Sequence, residues 1–286
     1  MFPNYLRKGL CLLAMIPAFA ATSFAADDVR PESVYERVMR TGELNCIYVV
    51  WPPFIIKDPN TGTLGGLSYD YTEALGKALN SKINWKQEGD IATYVEAVRT
   101  KRVDAECAAG FPTPERAKFV DFTEPYAFVP EYVYVRAGDT RFAKDPALLN
   151  KKETVFAGIE GDTSYQNAAR AFPGATVNAL AAMTPYSDLI MTLVTGKADA
   201  IATDVVTALD YNKNNKDKIE KVEMPYPVNL GLVSMTIPKG EYDLKSLINT
   251  TNSILIGNGT VEKILRKYDP QIEMLYSPAK PYNDGK

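Results

Sequence analysis

The chain has 286 residues, 46% of them hydrophobic and 23% charged, the proportions of an ordinary folded soluble protein. That excludes a disordered polar tail and a multi-span membrane protein, and the length favours two lobes over a single core. With 32 basic and 35 acidic residues, a formal charge of −3 and no block of like charge, a nucleic-acid or anionic-membrane surface is disfavoured. The partner is then a small molecule or a protein. There is no histidine, so the commonest metal ligand and the commonest general base at neutral pH are both missing.

Residues 1–25 read as an export signal. Arg7 and Lys8 precede an apolar run from Leu10 to Ala21, and Ser23-Phe24-Ala25 sets small residues at the two positions a signal peptidase reads. Cleavage is expected after Ala25, which removes Cys11 and takes the formal charge from −3 to −5. The run is too short to span a bilayer comfortably, and no later stretch approaches about 20 apolar residues. The mature chain is therefore expected to be soluble in the periplasm. There, Cys46 and Cys107, both in apolar strand-like stretches, either form a disulfide or remain buried thiols. No CxxC or metal-ligand spacing occurs, and neither a metal nor a cofactor is expected.

Leu44 to Val50 is an apolar run stopped by Trp51-Pro52-Pro53, the pattern of a buried strand entering a loop. From Tyr69 to Leu79 apolar residues recur at three- and four-residue spacing, which predicts a helix. Ile83 to Trp85 is a candidate strand, Tyr94, Val95 and Val98 a helix face, and Val103 to Ala108 a further strand. This is the βαβ rhythm of an α/β lobe. The pattern restarts with a strand over Thr154 to Ile159, a turn at Gly161-Asp162-Thr163-Ser164 and a helix over residues 164–172. A helix near Ser187 to Val194, a strand at Ala198 to Ala202 and a polar loop with Asn212 to Lys218 follow. The strand Leu230 to Ile237 leads to helices near Leu244 to Leu255 and Val261 to Tyr268, then an irregular tail.

The most informative stretch is Thr113-Pro114-Glu115-Arg116 with Val120-Asp121-Phe122-Thr123-Glu124-Pro125-Tyr126. Thr113 fits a helix N-cap and Pro114 the first helical position, which sets Arg116 on the first turn. From there its planar fork can hold a carboxylate through two parallel hydrogen bonds. A surface arginine, or one paired with nearby Asp121, is an equal reading of the same residues.

Together with Gly42-Glu43-Leu44, Pro53-Phe54, Val103-Asp104-Ala105 and Gly196-Lys197-Ala198-Asp199-Ala200 before Asp204, this series resembles the bacterial extracellular solute-binding proteins of family 3. Those are the amino-acid-binding receptors of ABC importers. The resemblance covers most of the chain after the export signal. It implies an α/β, two-lobed type 2 periplasmic-binding fold with a hinge and a ligand cleft between the lobes. Lobe I is expected over residues 26–133 and 229–286, and lobe II over 134–228.

By that resemblance Arg116 grips the ligand's α-carboxylate, Asp204 accepts its α-ammonium, and Trp51 lies against its side chain or stacks on a cation. The implied site comprises Trp51, Ile91, Gly110, Arg116, Thr163 and Asp204, with Ile91 making one wall aliphatic. Competing readings put Trp51 in the core and make Asp204 a helix cap. Three departures stand out: the loop Ala108-Ala109-Gly110-Phe111-Pro112 lacks the usual hydroxyl, Ser68 stands where an aspartate is common, and Asp162 replaces a hydroxyl in the second-lobe turn. An acid at 162 repels a ligand carboxylate unless Thr163 or Ser164 takes over. Alternatively, Glu160 and Asp162 favour a cationic ligand, or Asp162 caps the following helix.

The expected function is a monomeric periplasmic receptor, not an enzyme, that captures an amino acid or a related small polar zwitterion and delivers it to an inner-membrane ABC permease. One alternative is a cleft enzyme resembling the cyclohexadienyl dehydratases of the same fold, with Glu160 as the nearest acid. Another is a periplasmic sensor or accessory binding module.

Overall fold

The computed structural model describes residues 30–90, 93–182, 184–271 and 273–278, so the export segment and Ile91 lie outside the described residues. Helix α1 (Val34–Thr41) opens on a capping box: the Ser33 hydroxyl accepts from the Glu36 N–H, and the Glu36 carboxylate accepts from the Ser33 N–H. It feeds β1 (Glu43–Tyr48), the short hairpin of β2 (Ile56–Lys57) and β3 (Leu64–Gly65), and α2 (Leu67–Ala78). Next come β4 (Lys82–Glu88), α3 (Tyr94–Arg99) and β5 (Ala105–Gly110). Both β4 and β5 lie parallel to β1, as the βαβ rhythm requires. A 3₁₀ turn over Arg116–Lys118 precedes β6 (Val120–Phe122) and the long strand β7 (Ala127–Arg136).

After α4 (Arg141–Lys144) the chain alternates again through β8 (Val155–Ile159), α5 (Thr163–Ala171), β9 (Thr176–Leu180) and α6 (Tyr186–Val194). It continues with β10 (Ala200–Asp204), α7 (Val205–Asn215) and β11 (Ile219–Lys221). The second long strand, β12 (Asn229–Pro238), leads to α8 (Tyr242–Gly257) and α9 (Thr260–Tyr268). From Ser33 onward the described residues pack as one unit.

The long strands β7 and β12 join the two halves. Strand β12 pairs with β7 over Asn229–Val233 and with β5 and β6 from Ser234 to Pro238. Strand β7 pairs with β12 over Ala127–Glu131 and with β10 from Glu131 to Val135. The resulting order is β4-β1-β5-β12-β7-β10-β8-β9. Apolar side chains sort to match: Leu44, Leu75, Met235 and Ile248 share one core, while Val133, Phe156 and Ala202 share another and Leu189 and Ile201 a third. On α2 Tyr71 and Leu75 of the predicted face are at most 1% exposed, and Leu67, ahead of the predicted start, extends the same face by a further four-residue step. Each such side chain contributes roughly 1.5–3 kcal/mol by leaving water.

Two local readings of the sequence are corrected, and elements beyond those it predicts appear. Thr113-Pro114 starts a single 3₁₀ turn rather than a helix, because β6 begins two residues after the turn ends. Residues Asn212–Asn215 belong to α7 rather than a polar loop. Strand β7 is a full element despite Pro130 and Glu131, and α1 precedes the first expected strand. Ser68, on α2, is a packing residue whose hydroxyl lies 2.7 Å from that of Tyr126.

Cys46 on β1 and Cys107 on β5 are joined by a disulfide, with their Cα atoms 5.6 Å apart. Both are at most 1% exposed, and the bridge closes a loop with a sequence separation of 61. Cross-links of this size stabilise by about 2–4 kcal/mol, largely by restricting the unfolded chain. The Cys46→Ala/Cys107→Ala double variant is expected to lose about that much in equilibrium urea unfolding. A variant as stable as the wild type would show that the bridge contributes nothing.

Candidate functional site

A cleft of about 590 Å³ opens between the loop after β1, α3 and β5 on one side and α5, α6 and α7 on the other. Crevices at strand ends, where loops and helix N-termini converge, are the usual ligand sites of α/β sheets. Four of the six residues expected from sequence line it: Trp51, Arg116, Thr163 and Asp204.

Trp51 and Ile55 exchange backbone hydrogen bonds of 3.0 Å around a cis Pro52–Pro53 bond. Its indole packs on Phe54 at 4.8 Å and Phe111 at 5.4 Å between ring centroids, so Trp51 is both a core neighbour and a cleft wall. Arg116 is positioned by the 3₁₀ turn, where its N–H donates to the Thr113 hydroxyl at 3.2 Å. Its Nη1 donates to the Phe111 carbonyl at 3.0 Å, and the guanidinium lies 5.8 Å from the centre of the Tyr94 ring. Its ion-pair partner is Asp162, with Nη2 3.5 Å from Oδ2. Asp121 pairs instead with Lys239 at 2.8 Å.

Two cleft carboxylates double as helix caps. Asp162 caps α5, its Oδ1 accepting from the Ser164 N–H at 2.9 Å, from the Ser164 hydroxyl at 2.8 Å and from the Tyr186 hydroxyl. Asp204 caps α7, accepting from the Thr207 N–H at 2.8 Å and hydroxyl at 2.7 Å. For Asp204, then, the cap and the cleft-lining position are the same residue. Burial pushes its carboxyl above the usual range, against the hydrogen bonds from Thr207.

Gly110 does not line the cleft. It ends β5 where a Cβ would crowd the Thr236 hydroxyl and come within 2.8 Å of Glu106 Oε2, so its bareness lets Glu106 and Thr236 meet at 3.1 Å. Glu160 is exposed and off the cleft wall, and is thereby removed as a cleft acid.

Sequence reasoning missed Glu106, Glu131, Tyr94 and Tyr186, all on the cleft wall. Glu106 accepts from the Ala108 and Ala109 N–H groups at 2.8 and 2.9 Å. Glu131 sits where β7 meets both β12 and β10, opposite Asn229 and Asp204, and accepts from Asn229 at 3.0 Å and from Asn167. An acid inside an apolar strand was the available signal for both. Burial pushes Glu106 to about 7, countered by its backbone hydrogen bonds. Burial likewise pushes Glu131 to about 7, with neighbouring Asp204 adding to it. The charged side chains on the described wall are thus Arg116 against Glu106, Glu131, Asp162, Asp204 and Asp210.

Two crossing strands, separate cores and a charged cleft between them define a two-lobed binding protein. The chain belongs to the bacterial extracellular solute-binding proteins, family 3, whose family model matches residues 45–271. The L-arginine-binding protein of Pseudomonas aeruginosa is 25% identical, covering 90% of this chain and 95% of its own. The solved structure of an ancestral arginine-binding protein bound to arginine is 28% identical with a TM-score of 0.63, covering 79% of this chain and 98% of that one. The ancestral amino acid-binding protein AncCDT-1, a precursor of cyclohexadienyl dehydratase, is 26% identical with a TM-score of 0.66, covering 83% and 99%.

An acid raised on folding keeps its proton in the folded state at pH values where the unfolded chain has lost it. Stability contributed by Glu106 and Glu131 therefore falls as pH rises from the ordinary carboxylate range through about 7. Melting of ligand-free protein between pH 5 and pH 8 should show this decline, and Glu131→Gln should flatten it. A variant curve parallel to the wild type would mean that Glu131 ionises normally.

Proposed function

We propose that this chain is a periplasmic receptor for a small amino compound of net positive charge, an amino acid or close relative, and passes it to an inner-membrane ABC permease. In this reading residues 1–25 are removed on export and the receptor acts as a monomer. Lobe I spans 26–133 and 229–286, and lobe II spans 134–228. The lobes close on the ligand about β7 and β12. Among the described residues no helix is long and apolar enough to cross a membrane, which suits a receptor that meets its permease from outside.

The observation that carries the cationic preference is the cleft's charge: five acids face one arginine. Asp204 and Glu131 provide a place for an ammonium, and Trp51 and Phe111 an apolar surface for the ligand's stem. The arginine-binding names among the relatives agree with this charge. We read the chain as a receptor rather than an enzyme because relatives matching nearly its whole length are named as binding proteins.

Calorimetric titration of the mature protein with a panel of amino acids and amines is expected to yield binding by cationic members and none by acidic ones. Asp204→Asn keeps a good helix cap but removes the charge. It should weaken the best ligand by at least about 30-fold, about 2 kcal/mol, while leaving the melting temperature nearly unchanged. Unaltered affinity in that variant would place the ammonium elsewhere.

A further inference from the structure

The chain carries a carboxylate of its own where a ligand's carboxylate is expected. Asp162 stands at the N-terminus of α5 with its Oδ2 3.5 Å from Arg116 Nη2. This acid is held rather than free to swing away: it is 6% exposed, and its other oxygen is fixed by Ser164 and Tyr186. Ser164 is spent in the same arrangement, its hydroxyl donating to Asp162 and accepting from the Ile159 N–H at 3.1 Å. Arg116 is therefore already matched by an anion of the chain. A ligand carboxylate brought to it meets the charge of Asp162 at close range.

The rest of the cleft has the opposite need. Glu106, Glu131 and Asp204 are 2%, 1% and 6% exposed, and none has an ion-pair partner among the described residues. Glu131 and Asp204 face each other directly across β7 and β10, a like-charge pairing that a cation between them would relieve. An independent sign of a missing partner is Tyr94. It is 4% exposed and on the cleft wall, and its hydroxyl makes no hydrogen bond of ordinary geometry, with the Thr236 hydroxyl beside it and the Arg116 guanidinium over its ring.

We infer that this receptor selects small carboxylate-free amines bearing two or more positive groups over the corresponding amino acids, and that Asp162 is the residue that makes the selection. One ammonium lies between Glu131 and Asp204, and a second positive group turns toward Glu106. The Arg116–Asp162 pair meanwhile joins the two walls without help from the ligand. This rests on the receptor reading above and sharpens its ligand class.

Matched pairs differing only in the carboxylate test it: agmatine against L-arginine and cadaverine against L-lysine, titrated calorimetrically into the full mature protein. Each amine is expected to bind at least tenfold more tightly than its amino acid. Asp162→Asn, which keeps the cap while freeing Arg116, should move that ratio at least tenfold toward the amino acid. Asp162→Thr, also a capping residue, serves as the second variant if the first folds poorly. An amino acid that outbinds its amine in the wild type overturns the inference and leaves the receptor reading intact, as does a ratio unmoved by either variant. Silence from all four compounds overturns the receptor reading and the inference with it.

Discussion

Buried carboxylates require a compensating charge, and this cleft has more of them than the chain can match. Removing an ionised carboxylate from water costs several kcal/mol unless hydrogen bonds or a cation replace the lost hydration. Backbone N–H groups, Thr207, Thr236, Asn167 and Asn229 supply the hydrogen bonds. In the proposed reading the missing positive charge is left to the ligand. On that reading, lobe closure about β7 and β12 becomes favourable only when that charge arrives, because closing an empty cleft deepens the desolvation of unmatched acids.

The same acids are placed by elements rather than by loops. Asp162 and Asp204 are caps, so their carboxylates are fixed by the first turns of α5 and α7. The positive ends of those two helices partly offset the acids in the ligand's absence. Glu131 occupies the one register position of β7 that is paired with both β12 and β10. Gly110 belongs to this support system: it makes room behind Glu106 rather than touching a ligand.

Much of this was legible in the residues, and the exceptions have physical reasons. Helices α2, α8 and α9 announced themselves through apolar spacing, because each buries one face against the core. Strand β7 hid because Pro130 and Glu131 break its apolar run, yet Pro130 simply pairs opposite Leu230 in the ladder. Helix α7 hid behind the polar composition of its last turn. Helix α1 carried a readable capping box at Ser33 and Glu36 that was passed over. At the site, the family resemblance implied Trp51, Arg116, Thr163 and Asp204. Glu106 and Glu131 lay in apolar strands, and only three-dimensional pairing reveals which face of a strand meets a cleft. The Arg116–Asp162 contact joins residues 46 positions apart, beyond the reach of local pattern.

The absence of histidine acquires a meaning here that composition alone does not give it. The mature chain carries no imidazole, and Cys46 and Cys107 are bonded to each other, so the side chains drawn toward neutrality are the glutamates of the cleft. Proton exchange of these side chains with the solvent near neutral pH thus takes place at the cleft wall. If the proposed cation settles beside Glu106 and Glu131 it drives their protons out, and the number released, read from the dependence of the heat on buffer ionisation, counts how many of these carboxylates the ligand engages.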